Sequence, residues 1–251
     1  MILSLPFLHN SQDASTVLTR RLATGSSAVT KMLFAIAVSA FSFFTAQAQG
    51  IQTPEEKAAY LKTVTERSAK IVNTLAIKDS TKYKVVLQLL VNQYSNINRI
   101  HEETKLGLAA IKQQSITAQE SALQVQQQEE QKLKQLQQLH SAFLAGLQQN
   151  LTEGQIEQVK DGMTFGVLNV TYTAYQDMIP ALTEEQKKKI YEWLIEAREL
   201  AMDGESSDQK HAIFGKYKGR INNYLSAAGY DLTKERAEWQ KRINAKKESS
   251  K

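Results

Sequence analysis

The chain has 251 residues, 31 lysines and arginines against 26 acids, a formal net charge of +5 and no cysteine. The missing thiol excludes disulfides, thiolate metal sites, a cysteine nucleophile and a lipidated-cysteine anchor. The charge balance is too mild to argue for nucleic-acid or membrane-surface binding, and no motif calls for a cofactor.

Arg20, Arg21 and Lys31 precede an apolar run from Leu33 to Phe44, and Ala46-Gln47-Ala48 has the small-x-small pattern that signal peptidase reads. We read residues 1–48 as a signal peptide cut before Gln49, because the apolar run falls short of the roughly 20 residues that span a bilayer. Met32 opens that run, so the residues ahead of it are an overlong leader or an extension upstream of the true start. Removing residues 1–48 takes away three cations and one acid and leaves 203 residues of net charge +3. The expectation is an exported protein, periplasmic or extracellular, with no membrane anchor in the mature chain.

After the cut, helix starts are legible as capping boxes, in which a hydroxyl and the acid or amide three residues later satisfy each other's free backbone donors. Thr53 with Glu56, Thr117 with Glu120, Thr152 with Gln155, Thr183 with Gln186 and Ser206 with Gln209 fit the pattern. Asp79 or Ser80 caps another helix, and Thr233 begins the last. Asn150, Gly204 and Gly229 stand where a left-handed residue ends a helix. Helices are thus predicted at 54–76, 81–114, 118–149, 153–161, 184–202, 207–228 and 234–247, with 162–180 as a long irregular stretch. Val86, Leu90, Ile97, Ile100, Leu108 and Ile111 on one long helix, and Leu133, Leu136, Leu139, Phe143 and Leu147 on the next, recur at helical spacing and predict an antiparallel hairpin. Thirteen of the residues from Gln113 to Gln149 are glutamine, which the leucine spacing marks as a solvated helix face.

The expected fold is all-α: a helical bundle with a long antiparallel hairpin at 49–150 and a C-terminal, aromatic-rich helical region at 151–251. Both tryptophans and most tyrosines lie after Asn150, so binding chemistry is expected there.

The helix from Ser207 carries the strongest signal. At 100° per residue, Ile213, Phe214, Tyr217, Ile221, Tyr224 and Leu225 share an apolar arc, beside which Lys218, His211 and Asn222 border a strip of small residues that includes Gly215 and Gly219. Asn223, Lys216 and Arg220 lie beyond the strip. Two mid-helix glycines cost about 1 kcal/mol each relative to alanine, so a close neighbour or a ligand is expected along the strip. The candidate ligand site is His211, Lys216, Lys218, Arg220, Asn222 and Asn223, with Tyr172 and Tyr175 of the irregular stretch as stacking partners. No acid occurs from Gln209 to Tyr230, which suits uronic-acid sugars and other anions.

No catalytic signature is present. Glu192, Glu196, Glu199 and Asp203 lie opposite the Ile190/Leu194 face and read as solvated, and His101, His140 and His211 lack the spacing of a helical metal site. Neither a phosphate loop nor a nucleophile elbow occurs.

Val159-Lys160-Asp161-Gly162-Met163-Thr164, Leu182-Thr183-Glu184-Glu185-Gln186, Trp193-Leu194 with Glu196-Ala197-Arg198-Glu199, and above all Lys216-Tyr217-Lys218-Gly219-Arg220-Ile221-Asn222-Asn223-Tyr224-Leu225 resemble a secreted bacterial family called domain of unknown function 3826. That family is provisionally labelled sugar-binding. The resemblance implies export and a part in polysaccharide utilisation, with a carbohydrate partner such as an acidic plant glycan; it implies no catalytic residue. The Leu-Thr-x-x-Gln pattern at 151–155 and 182–186 is also similar to small periplasmic helical chaperones of the Spy type, a resemblance any capping box produces.

Overall fold

Four of the five expected capping boxes form with both hydrogen bonds in place, at Thr53, Thr117, Thr152 and Thr183. At the fifth, Ser206 accepts from the Gln209 amide, but Gln209 turns its own oxygen to the Glu205 amide. A computed structural model describes residues 53–249 of the chain. The expected signal peptide and its cleavage site lie outside the described residues.

Within them the chain is all-α, with eight helices and no strand. These are α1 (Pro54–Thr74), α2 (Ser80–Lys112), α3 (Ala118–Gln148), α4 (Glu153–Met163), α5 (Val167–Met178), α6 (Glu184–Met202), α7 (Ser207–Ala227) and α8 (Leu232–Ser249). No helix among the described residues is long and apolar enough to cross a membrane.

Helices α2 and α3 pack as the expected hairpin, each close to 50 Å long at about 1.5 Å per residue. Val86, Leu90, Ile97, Ile100 and Ile111 are buried along α2, and Leu136, Phe143 and Leu147 along α3. Leu133 departs from the stripe and is 61% exposed. One core is built from α1, α2, α3 and α4 around Val72, Val86, Leu90, Leu147 and Val159, with Met202 of α6 closing it. A second core joins α5, α6, α7 and α8 around Leu168, Ile190, Leu194, Phe214, Ile221 and Leu225.

The stretch 162–180 is not irregular, because α5 occupies Val167–Met178. Its VLNVTYTAYQ sequence is rich in β-branched and aromatic residues of weak helix propensity. Burial of Leu168, Tyr175 and Met178 in the second core overrides that preference. Two successive left-handed residues, Phe165 (φ +60°) and Gly166 (φ +65°), make the turn into α5.

Of the three expected left-handed stops, only Gly229 has positive φ, at +94°. Asn150 donates its side-chain amide back to the Gly146 carbonyl instead. Gly204 is buried where an added Cβ would stand 3.2 Å from Lys210 Cγ and 3.3 Å from the Ala201 carbonyl, so its small size is what the packing uses.

Candidate functional site

Two contacts bridge α5 and α7. At one end the rings of Phe165 and His211 stack, with centroids 5.7 Å apart and planes 15° apart. At the other, the Tyr175 hydroxyl donates to Asn222 Oδ1 at 2.7 Å. The two spans, Phe165 to Tyr175 and His211 to Asn222, match in residue count to within one, so the helices run side by side in the same direction for about 15 Å. A pocket opens at the second of these ties.

It has a volume of about 290 Å3 and is lined by Val170, Thr171, Ala174, Tyr175 and Met178 from α5, Lys218 and Asn222 from α7, and Arg236 and Trp239 from α8. Arg242 fixes α8 there by donating to the carbonyls of Asp177 and Met178, at 2.8 and 3.1 Å, which cap the C-terminus of α5. Lys218 and Arg236 have no acid partner among the described residues. Burial pushes the Tyr175 hydroxyl up to about 12, against the opposing pull of Arg236, so it stays a neutral donor.

Beside the pocket, the exposed face of α7 carries two glycines. Gly215 and Gly219 follow Lys218 and Asn222 around the helix, and a Cβ at either would meet nothing within 4 Å. No neighbouring element explains them, so the strip is open to solvent. Gly215→Ala and Gly219→Ala are each expected to raise stability by about 1 kcal/mol through helix propensity, read as an upward shift in the urea midpoint.

The structure divides the sequence-predicted site residues. Lys218, Asn222 and the Tyr175 hydroxyl come together at the pocket, whereas His211 lies about three turns away along α7 against Phe165; the Tyr175 ring itself is buried in the second core and offers no face for stacking. Tyr172 points to α6, its ring 5.0 Å from that of Tyr191. Arg220 also turns to α6, lying 4.5 Å over the Trp193 ring and 3.5 Å from Glu196. Lys216 and Asn223 are exposed on the outer face of α7. Sequence reasoning missed Phe165 and Arg236. Phe165 is 48% exposed and holds a left-handed backbone that an aromatic residue rarely adopts, and nothing in its neighbours except Gly166 signals that turn.

A second cluster overturns a sequence expectation. Glu199 and Asp203 are not a solvated face, because His140 packs against them. His140 of α3 reaches α6, its Nδ1 lying 3.1 Å from both Asp203 carboxylate oxygens and its Nε2 3.3 Å from Glu199 Oε2. Hydrogen bonds to Asp203 and then Glu199 raise its pKa to about 9. Burial pushes Glu199 up, but its bonds to His140 and Lys160 outweigh this and hold it down to about 2. An imidazolium with both N–H groups committed to carboxylates has no lone pair for base chemistry or metal ligation.

The ion pairs continue in both directions. Lys160 joins Glu199 at 3.0 Å, and Arg198, only 3% exposed, pairs with Glu157 and, at 2.8 Å, with Asp161. His101 of α2 lies 3.0 Å from the Asp203 carbonyl and 3.5 Å from Glu205, which Lys105 meets at 3.0 Å. Lys210, also buried, donates to the last carbonyls of α6, Ala201 and Met202, at 2.9 and 3.0 Å. Desolvation lowers its pKa to about 8.

No curated protein matches the chain. Residues 61–245 match a protein of unknown function family, DUF3826, and with that match spanning well over half the sequence, the chain belongs to this family.

Proposed function

We propose that this is an exported, non-catalytic, carbohydrate-associated protein of a polysaccharide-utilisation system, which holds a saccharide in the pocket between α5, α7 and α8. The observation that carries the reading is the pocket in which two unpaired cations, Lys218 and Arg236, converge with the Asn222 carboxamide and the Trp239 indole. Sugar rings present apolar C–H faces that an indole covers, while a uronate carboxylate takes charge-assisted hydrogen bonds from guanidinium and ammonium. The bare Gly215/Gly219 strip lets a ring approach the helix backbone. Phe165, exposed and stacked on His211, supplies an aromatic platform about three turns away along α7.

Calorimetric titration of the protein with oligogalacturonides and with neutral plant oligosaccharides tests this. Acidic oligosaccharides are expected to bind in the micromolar to low-millimolar range and neutral ones more weakly. Lys218→Ala with Arg236→Ala should abolish the preference, and Trp239→Ala should weaken both. No heat from any of them at millimolar concentration ends the proposal.

A second reading, a periplasmic helical chaperone of the Spy type, is favoured by Leu106, Leu123 and Leu133, which stand exposed along the hairpin. It fails if the purified protein leaves the aggregation of an unfolded client unchanged.

A further inference from the structure

The pocket between α5 and α7 takes its third wall from α8, the least buried of the helices that border it. Of the 18 residues of α8 only Leu232, Trp239 and Ile243 are large and apolar, and none from Leu232 to Glu248 is fully buried. Helices α5 and α7, by contrast, send Leu168, Phe214, Ile221 and Leu225 wholly into the second core. A segment with few buried apolar side chains opens locally at a lower free energy than the body it lies on.

Attachments of α8 sit toward its two ends. At the root, Gly229 turns the chain with φ +94° and the Asp231 carboxylate accepts from the amides of Thr233 and Lys234. The Tyr230 hydroxyl lies there 3.0 Å from the Ala181 carbonyl and 2.9 Å from Gln186 Oε1. Toward the other end, the exposed Arg242 donates to the last carbonyls of α5. Between these points Leu232, Arg236, Trp239 and Ile243 share one face at four- and seven-residue spacing. Leu232 and Trp239 lean on the second core, while Arg236 and Trp239 line the pocket. The face that holds α8 down is therefore the face that meets a ligand. Lifting the helix takes a cation and an indole out of the pocket together.

We propose that α8 is a hinged lid on this pocket, rooted at Gly229 to Asp231 and latched by Arg242, and that a ligand bound against Arg236 and Trp239 holds it shut. The lid follows from the packing of α8, and that a saccharide is what shuts it rests on the function proposed above. A ligand that meets these two side chains only in the closed state shifts the opening equilibrium by its differential affinity, and an opened lid weakens the ligand in return.

Amide hydrogen exchange of the purified protein, read by mass spectrometry on overlapping peptides, tests this. In the free protein, residues 232–243 are expected to exchange as one unit, about tenfold or more faster than α6 and α7. Arg242→Ala should speed that unit several-fold and leave α6 and α7 unchanged, which separates a lost latch from a folding defect. Trigalacturonate at about a hundred times its dissociation constant should slow the unit about a hundredfold, because it binds the closed lid alone. Exchange that rises only toward Ser249, with Arg236 and Trp239 as protected as α7, would mean fraying of a helix end and would overturn the lid. Wild-type exchange in Arg242→Ala, or trigalacturonate that gives heat without slowing α8, would overturn it too. Should no oligosaccharide give heat, the saccharide reading fails by itself, and exchange in the free protein still decides the lid.

Discussion

Replacing Arg198 with alanine is expected to lower folding stability by about 3 kcal/mol, the low end of the range for breaking a buried ion pair by removing one partner. The guanidinium is almost wholly buried and sends separate nitrogens to Glu157 and Asp161 of α4. Without it Asp161 loses its countercharge, Glu157 keeps only Lys160 at 3.5 Å, and the space it filled is left empty. Their partial exposure keeps the loss from the top of the range. Arg198→Lys is expected to recover only part, because one ammonium cannot reproduce a planar fork spread over two acids. Urea denaturation of both variants checks this. A loss under 1 kcal/mol for the alanine variant would mean that the α4 to α6 junction is held by apolar packing alone.

The second large effect is in the dependence of stability on pH, where two buried groups act in opposite directions. His140 has its pKa raised from 6.5 to about 9, so its contribution is complete below pH 6.5 and is lost as pH rises to 9. Lys210 has its pKa lowered from 10.5 to about 8, so burying its charge penalises the fold below pH 8, and the penalty lifts between 8 and 10.5. At about 1.4 kcal/mol per tenfold change in proton affinity, stability is expected to fall by about 2 kcal/mol from pH 6.5 to 8. It should then stay level to pH 9 and recover by about 1 kcal/mol by pH 10. Above that, Tyr94 and Tyr175, whose pKa values burial holds up to about 12, ionise more easily in the unfolded chain and bring stability down again. On the acid side Glu199, held down to about 2, contributes above pH 4.5 and is lost below it. Urea midpoints measured from pH 4 to 11 read out the whole curve. His140→Gln should remove the falling limb between 6.5 and 8 and leave the later rise; a wild-type curve with no minimum near 8 to 9 would show that His140 is not the charged link between the hairpin and α6.

The helix starts and the hairpin follow from the sequence because their causes are local. A capping box needs only residues three apart, and the α2 and α3 stripes need only a repeat near 3.6, so nearest-neighbour chemistry already selects helix over every alternative. Family membership belongs with these, since it is a property of the residues in order. The glycine strip on α7 was legible for the same reason, since positions 215 and 219 share a helical face whatever surrounds them, but that no neighbour covers it was decided by the packing.

Tertiary packing decided the rest. Helix α5 exists against its own propensities because the second core buries one of its faces. Arg236 and Trp239 join Lys218 and Asn222 only because Arg242 docks α8 on the end of α5. Glu199 and Asp203 change from apparent surface acids to the clasp on His140 because α3 arrives from about 60 residues upstream. A helical wheel gives the direction in which a side chain leaves its own axis; it carries no information about which distant helix stands there, and burial, countercharge and pocket all depend on that neighbour.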